Sequence, residues 1–309
     1  MITQAFHYFS HRLLARGPIR LAMTILVKNE ADIIEDNIRV HAALGVDCFA
    51  VMDNGSTDGT REILARLADE YDLHLIDQTA QSYRQRQWMT QLAHYARTRL
   101  GADWVISNDA DEFWIPQGDS LKAGLDRKGS VISVQRHNMV LGEESRDPGY
   151  RYYHSTLKVR HPIAYDKQAQ REQINISLPL VSIKPKVMVN PHGLLNIKGG
   201  NHRAVHIGNV FGQQQSPHIT IYHYPIRSYQ QFEKNILNRV ELAKVKDVRM
   251  GDHYFRWVEL YMQGKLEEEY ERFIIKRDEI PVLERFGIIE MDIRARDYIA
   301  RTLYQTEQQ

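Results

Sequence analysis

An apolar run of strand length, IRLAMTILV (residues 19–27), is followed by a polar break, KNE. EADIIEDNIRVHAALG (30–45) then places Ile34, Ile38, His41 and Gly45 at helical spacing and predicts a helix. VDCFAVM (46–52) predicts a second strand, DGTREILARLADEY (58–71) a helix with Asp58 at its N-cap, and LHLI (73–76) a short third strand. RQRQWMTQLAHYARTRLG (84–101) sets Trp88, Leu92 and Tyr95 on one helical face, and DWVI (103–106) predicts a fourth strand. Strict alternation of strand and helix predicts an α/β fold: a mostly parallel sheet flanked by helices. In such sheets ligands gather beyond the carboxyl ends of the strands. Three polar clusters fall there: KNE (28–30), DNGSTDG (53–59) and NDADE (108–112).

Past VISVQR (131–136), one more predicted strand, the pattern changes. Residues 137–220 are rich in His, Tyr, Gly and Pro and poor in helical periodicity, so short strands and long loops are expected. Helical pattern returns from Ser228, where Ser228 and Gln231 form the Ser-x-x-Gln pattern of a capping box. The expected organisation is one domain over residues 1–227 with a helical extension, 228–309, packed on it.

Composition adds exclusions. With 309 residues, 43% hydrophobic and 26% charged, the chain is of ordinary globular make-up. A net charge of +1 provides no global field for nucleic acid, so none is expected as a partner. The single cysteine, Cys48, excludes an intrachain disulfide and suits a reducing cytoplasm. No apolar run approaches the roughly 18–20 residues that cross a bilayer, and the first twenty residues lack the features of a signal peptide. Phe6, Phe9, Leu13 and Leu14 stand among His and Arg there, a pattern that fits either a helix packed on the domain or one lying on a membrane surface.

The candidate chemistry begins with Asp109 and Asp111. On an extended segment alternate side chains point the same way, so both carboxylates could address one target. Hard oxygen ligands suit Mg²⁺ or Mn²⁺, with phosphate oxygens and water completing the shell. Crowded acids also need a positive partner, here expected to be that bound cation. Asp53, at the end of the second strand, can accept hydrogen bonds from a ribose or a base N–H. For a diphosphate, Arg84 and Arg86 are the leading basic candidates, with Lys186 behind them among Lys184, Lys198 and Arg203. His202 and His206 have i, i+4 spacing but follow Gly199-Gly200, so a zinc site is not the expected reading, and 196–203 could be a mobile lid.

ILVKNEADIIEDNIRVHAALGVDCFAVMDNGSTDGTREIL, with NDADEFW some fifty residues on, resembles the glycosyltransferase family 2-like proteins of the GT-A fold. The resemblance covers roughly residues 20–115 well and the rest loosely. It implies a GT-A type, Rossmann-like sheet and an enzyme that moves a sugar from a nucleotide-sugar donor, UDP-linked, to an acceptor hydroxyl, mostly with inversion. It implies that Lys28, Asn29 and Glu30 contact the nucleotide, that Asp53 binds uridine, and that Asp109 and Asp111 hold ribose and a divalent metal, Mn²⁺ or Mg²⁺. A late histidine often joins the metal in such enzymes, and His223 in HITIYHYPIRS is the candidate. Inversion needs a general base; Glu144, in MVLGEESRD, is nominated, with Glu112 as the substitute. The family also implies a saccharide or lipid-linked acceptor, a role in bacterial surface polysaccharide or lipopolysaccharide assembly, and a cytoplasmic protein with peripheral association at the inner membrane face. Two other readings stand beside it: a sugar nucleotidyltransferase, disfavoured because VKNEAD lacks a glycine-rich phosphate loop, and a non-catalytic binding protein on the same fold.

Overall fold

The apolar runs become strands covered on both faces, as parallel strands require. The computed structural model describes residues 2–78, 85–164, 177–209, 214–243 and 251–307. Its first half runs α1 (Ile2–Leu14), β1 (Leu21–Val27), α2 (Ile34–Ala43), β2 (Cys48–Asp53), α3 (Thr60–Glu70), β3 (Leu73–Asp77), α4 (Gln85–Arg99), β4 (Trp104–Asn108), β5 (Glu112–Pro116), β6 (Val131–Val134) and β7 (Arg136–Val140). The second half runs β8 (Leu157–Val159), β9 (Lys186–Val189), β10 (Leu194–Ile197), β11 (Ala204–His206), β12 (Gln214–Gln215), β13 (Ile219–His223), α5 (Tyr229–Ala243), α6 (Asp252–Met262), α7 (Leu266–Glu271), α8 (Ile280–Arg285), β14 (Ile289–Met291) and α9 (Arg294–Glu307). The chain divides into two compact units: 1–136, 184–221 and 298–309 in the first, 137–183 and 222–297 in the second.

The first unit contains a seven-stranded sheet in the order β12-β6-β9-β4-β1-β2-β3. β1 lies parallel to both β2 and β4, and β2 parallel to β3. The strand order therefore reverses beside β1, and a ligand crevice opens at such a switch point. α4 packs its Trp88, Met89, Leu92, Ala93 and Ala96 onto the sheet, joining Ala22, Ala50, Val105 and Val189 in one buried cluster.

Two features differ from the pattern-based expectation. Asp109-Ala110-Asp111 is not extended: it forms a tight turn from β4 directly into β5, closed by the Glu112 N–H donating to the Asp109 carbonyl at 3.1 Å. The sheet is also extended by β9, which runs antiparallel between β4 and β6. β9 comes from the loop-rich segment, where a four-residue strand leaves almost no period to read. At the start of α3, Gly59 (φ 96°) is the N-cap, and Asp58, one residue earlier, accepts from the Thr60 N–H and hydroxyl.

In the second unit β8 pairs antiparallel with β7 and with β14. Its helices bury Phe232, Ile236, Trp257, Tyr270 and Phe273 together. Asp292 gathers Lys158 and Tyr222 at 2.6 and 2.9 Å and Arg294 at 2.7 Å. Gln231 N–H donates to Ser228 Oγ as a capping box demands, while the Gln231 side chain takes the Arg227 N–H instead of that of Ser228.

Candidate active site at the strand ends

β2 and β4 end in Asp53 and Asn108, β1 runs directly into Lys28, and two loops there are clipped together. Asn29 adopts φ 59°, a left-handed conformation that Asn tolerates better than most residues. This aims its N–H at Ser56 Oγ (2.9 Å) and its side-chain carbonyl at the Thr57 N–H (2.8 Å). Glu30 N–H donates to Thr60 Oγ1 and Ala31 N–H to Asp58. Gly55 at φ 71° lets the second loop turn back so that Ser56 reaches Asp53. Asp53, only 3% exposed, accepts from both the Ser56 hydroxyl (2.5 Å) and its N–H (3.1 Å). Lys28 is exposed beside this clip, and Asn29 and Glu30 are half-buried.

Across β1, a buried polar network holds the Asp109–Asp111 turn. Asn37 of α2 donates to the carbonyls of Ala110 and Glu112 at 2.8 and 2.9 Å. Asn108 donates to Asn37 Oδ1 and accepts from the Trp114 indole N–H at 2.8 Å. His41 completes the set: its Nε2 accepts from the Trp114 backbone N–H at 3.0 Å, which leaves Nδ1–H to donate to the Asn37 carbonyl at 2.7 Å. That pairing needs a neutral ring, and burial pushes the His41 pKa down to about 4.

The positive partner of the acids turns out to be, in large part, built into the chain. β9 is registered with Val105 opposite Val189 and Ile106 opposite Met188. Two residues further, Lys186 comes level with the end of β4, and it is wholly buried. Its ammonium pairs with Asp109 and lies 3.2 Å from Glu112 Oε1. Arg136, two residues past the Val134 partner of Lys186, donates to the same Glu112 oxygen at 2.5 Å. Burial opposes the Arg136 charge, but Glu112, Asp109 and Asp111 outweigh it and raise the pKa. Asn201 donates to the other oxygen of Asp109 at 3.1 Å. Among the described residues, three carboxylates thus stand with two fixed cations, Lys186 and Arg136.

Asp53, Asp109, Asp111, Glu112 and Lys186 all belong to the strand-end edge of the first unit. Arg86 is exposed on α4, and Arg84 lies outside the described residues. Glu112 is wholly buried, with its Oε1 shared between Arg136 and Lys186. Glu144 is half-buried in a short 3-10 helix, 143–146, of the second unit. His223 closes β13, its Nδ1 2.7 Å from Asn138 Oδ1, so Nε2 is the nitrogen a ligand role would use. His206 is not set up for zinc: Nε2 meets the Asn190 carbonyl and Nδ1 accepts the Gly208 N–H, while His202 Nδ1 meets the Pro185 carbonyl. Segment 196–203 is tied down instead of being loose. Ile197 and Gly200 N–H groups donate to Thr90 and Gln85 of α4, and Asn201 is wholly buried on Asp109.

The donors fit a hard divalent cation. Asp111 is half-buried at the turn, and its carboxylate comes within 4.8 Å of that of Glu112. Glu112 Oε2 is buried and makes no hydrogen bond among the described residues. An orphaned carboxylate oxygen beside a second carboxylate is what an oxygen-preferring ion would satisfy. Asp109, by contrast, has both oxygens committed to Lys186 and Asn201.

A parallel sheet carrying a carboxylate-lined edge at its switch point is the class that this geometry defines. The model of glycosyl transferase family 2 matches residues 24–176, a stretch that runs from within β1 through β8 and holds every acid of the edge. Over that stretch the chain is glycosyltransferase family 2-like, and the proteins of that family are glycosyltransferases. No curated protein matches the sequence. Solved structures with a distant likeness include S. aureus TarS, at 11% identity and TM-score 0.37, with 80% of this chain and 43% of that chain covered. TarS 1-349 in complex with UDP-GlcNAc shows 10% identity and TM-score 0.39, over 85% of this chain and 78% of that chain. Glucosyl-3-phosphoglycerate synthase from Mycobacterium tuberculosis, in complex with Mn²⁺, UDP-glucose and phosphoglyceric acid, shows 14% identity and TM-score 0.29, over 44% and 48%.

Proposed function

We propose that the chain transfers a sugar from a nucleoside diphosphate donor, UDP-linked, to an acceptor hydroxyl with inversion at the anomeric carbon. The observation that carries the reading is the convergence of Asp53 and the Asp109–Asp111 turn on either side of the end of β1, within a glycosyl transferase family 2 match. Asp53, fixed by Ser56, offers acceptor oxygens to the uracil and ribose; the Asn29–Ser56 clip keeps that carboxylate in place. Asp109, held by Lys186 and Asn201, is an orienting anchor at the turn.

Asp111 and the free oxygen of Glu112 would hold Mn²⁺ or Mg²⁺, which when bound supplies Lewis-acid stabilisation of the charge growing on the leaving diphosphate. Lys186 and Arg136 offset part of the negative charge of the edge, so a diphosphate arriving with a dication is not repelled as it would be by three bare carboxylates. The acceptor proton is assigned to Glu144. The acceptor itself is read as a saccharide or a lipid-linked saccharide, in keeping with the surface-polysaccharide role implied by the family resemblance.

Calorimetric titration with UDP, with Mn²⁺ present and then chelated, tests the reading. Saturable binding that weakens at least tenfold on chelation is expected. No UDP binding in either condition overturns it, and turnover of a sugar 1-phosphate with UTP would replace it with nucleotidyl transfer.

A further inference from the structure

Helix α1 is oriented against the usual rule. A helix docked on a domain normally turns its apolar stripe inward and its polar face to water. Here, among the described side chains, Tyr8 and His11 make the inward contacts. The Tyr8 hydroxyl donates to the Lys128 carbonyl at 2.9 Å, and its ring meets His206 edge-on at 5.0 Å. His11 Nε2 lies 2.6 Å from Asp103, and its ring stacks on His192 at 3.5 Å. The outward residues are Phe6, Phe9, Leu13 and Leu14, which are 69%, 56%, 70% and 74% exposed. Phe6, Phe9 and Leu13 follow i, i+3, i+7 spacing and form one stripe, with Leu14 on its flank.

The rim of this stripe is cationic. Arg12 sits over the Tyr8 ring at 5.2 Å, Arg16 caps the carbonyls of Leu13 and Ala15, and Lys128 is exposed beside the Tyr8 hydroxyl. Residues 2–29 contain no Asp or Glu; the first acid in the chain is Glu30. An apolar stripe edged by cations complements an interface that is apolar beneath and anionic at its surface. A second copy of this chain fits poorly, because a two-fold interface through α1 would set the same arginines against each other. No described helix is long and apolar enough to cross a membrane.

We infer that α1 is an in-plane membrane anchor, laying Phe9, Leu13 and Leu14 into the headgroup boundary of an anionic bilayer with Arg12, Arg16 and Lys128 at the phosphates. This goes beyond the sugar-transfer reading and rests on none of its residues.

Vesicle flotation of the full chain tests it, with phosphatidylcholine alone and with phosphatidylcholine containing a minority of phosphatidylglycerol. The parent should float with the anionic vesicles only, and less as salt is raised. Phe9→Ser with Leu13→Ser should lower partitioning by more than tenfold, since two large apolar side chains leave the boundary. Arg12→Gln with Arg16→Gln should lower it roughly fivefold per residue. These arginine changes stay on the surface, so they keep the test decisive if the apolar variant folds poorly. A parent that ignores anionic vesicles overturns the inference. So does an apolar variant that floats as well as the parent, or one whose only change is from dimer to monomer, which would make a second copy the occupant. UDP titration of the same samples reports on the transfer reading separately.

Discussion

Lys186 is fully buried and its ammonium bridges Asp109 and Glu112, two acids that lie more than seventy residues earlier in the chain. Removing one partner of a buried ion pair leaves an uncompensated charge, which costs about 3–5 kcal/mol. Lys186→Met keeps the length of the side chain and deletes the charge, so urea denaturation should show a loss of that order. Adding Glu112→Gln should restore part of it, because one of the stranded charges is then gone. A loss below about 1 kcal/mol for the single variant would mean that water, not Lys186, solvates these acids.

The two aspartates of the turn should separate functionally. Asp109 is committed to Lys186 and Asn201, whereas a carboxylate oxygen of Asp111 lies within 4.8 Å of one of Glu112. Asp111→Asn is expected to abolish the strengthening of UDP binding by Mn²⁺ with little change in unfolding midpoint. Asp109→Asn should retain much of that strengthening and lower the midpoint instead. Calorimetry and thermal unfolding on the same two proteins check this, and equal loss of the metal effect in both would return Asp109 to the ligand set.

How far this edge could be read from the sequence depends on range. The first four strands, their helices and the acids at their ends are local patterns, and β1 to β4 appear within a few residues of expectation. The turn from β4 into β5 was misread as extended because Ala110 gives no turn signal. Lys186 was visible only as one of several basic residues, since its role follows from the antiparallel register of β9 against β4. Arg136 and Asn201 were missed for the same reason: each meets the acids through pairings or hairpins distant in sequence. Asn108 and Asn37 lay in quoted segments, but a buried amide network leaves no period and no motif.

Acid should loosen the fold through histidines. His41 and His206 are pushed down to about 4 and His192 to about 3, all chiefly by burial, from 6.5. Between pH 6.5 and the folded-state values the unfolded chain binds these protons and the native chain does not. Stability contributed by the neutral rings is therefore complete above about 6.5 and declines as pH falls toward 4. The thermal midpoint should drop across that window, and His41→Gln should flatten part of the drop. A midpoint constant from pH 6.5 to 4 would show that the rings already carry protons in the folded protein.

Glu144→Gln tests the proton acceptor. General-base removal typically lowers turnover by 10²–10⁴-fold, and it should do so here without altering UDP affinity, because the assigned role concerns the acceptor hydroxyl alone. Unchanged turnover moves the base elsewhere.

One side chain, Asn108, ties the turn to the sheet. Asn108 uses its amide oxygen for the Trp114 indole N–H and its amide nitrogen for Asn37 Oδ1 and the Glu112 carbonyl, all at a site without exposure. Asn108→Ala strands a buried indole donor and unties Glu112, the residue next to Asp111. Each buried polar group left unmatched costs about 1–3 kcal/mol, so a loss of about 2–4 kcal/mol is expected in denaturant. The network also sets where the Asp111 carboxylate sits, so metal-assisted UDP binding should weaken although Asn108 touches neither ligand. Tryptophan near-UV circular dichroism supplies the independent readout, since Trp114 loses its fixed partner. If stability falls while the metal effect on UDP stays at the parental value, the network supports the fold and has no part in positioning the site.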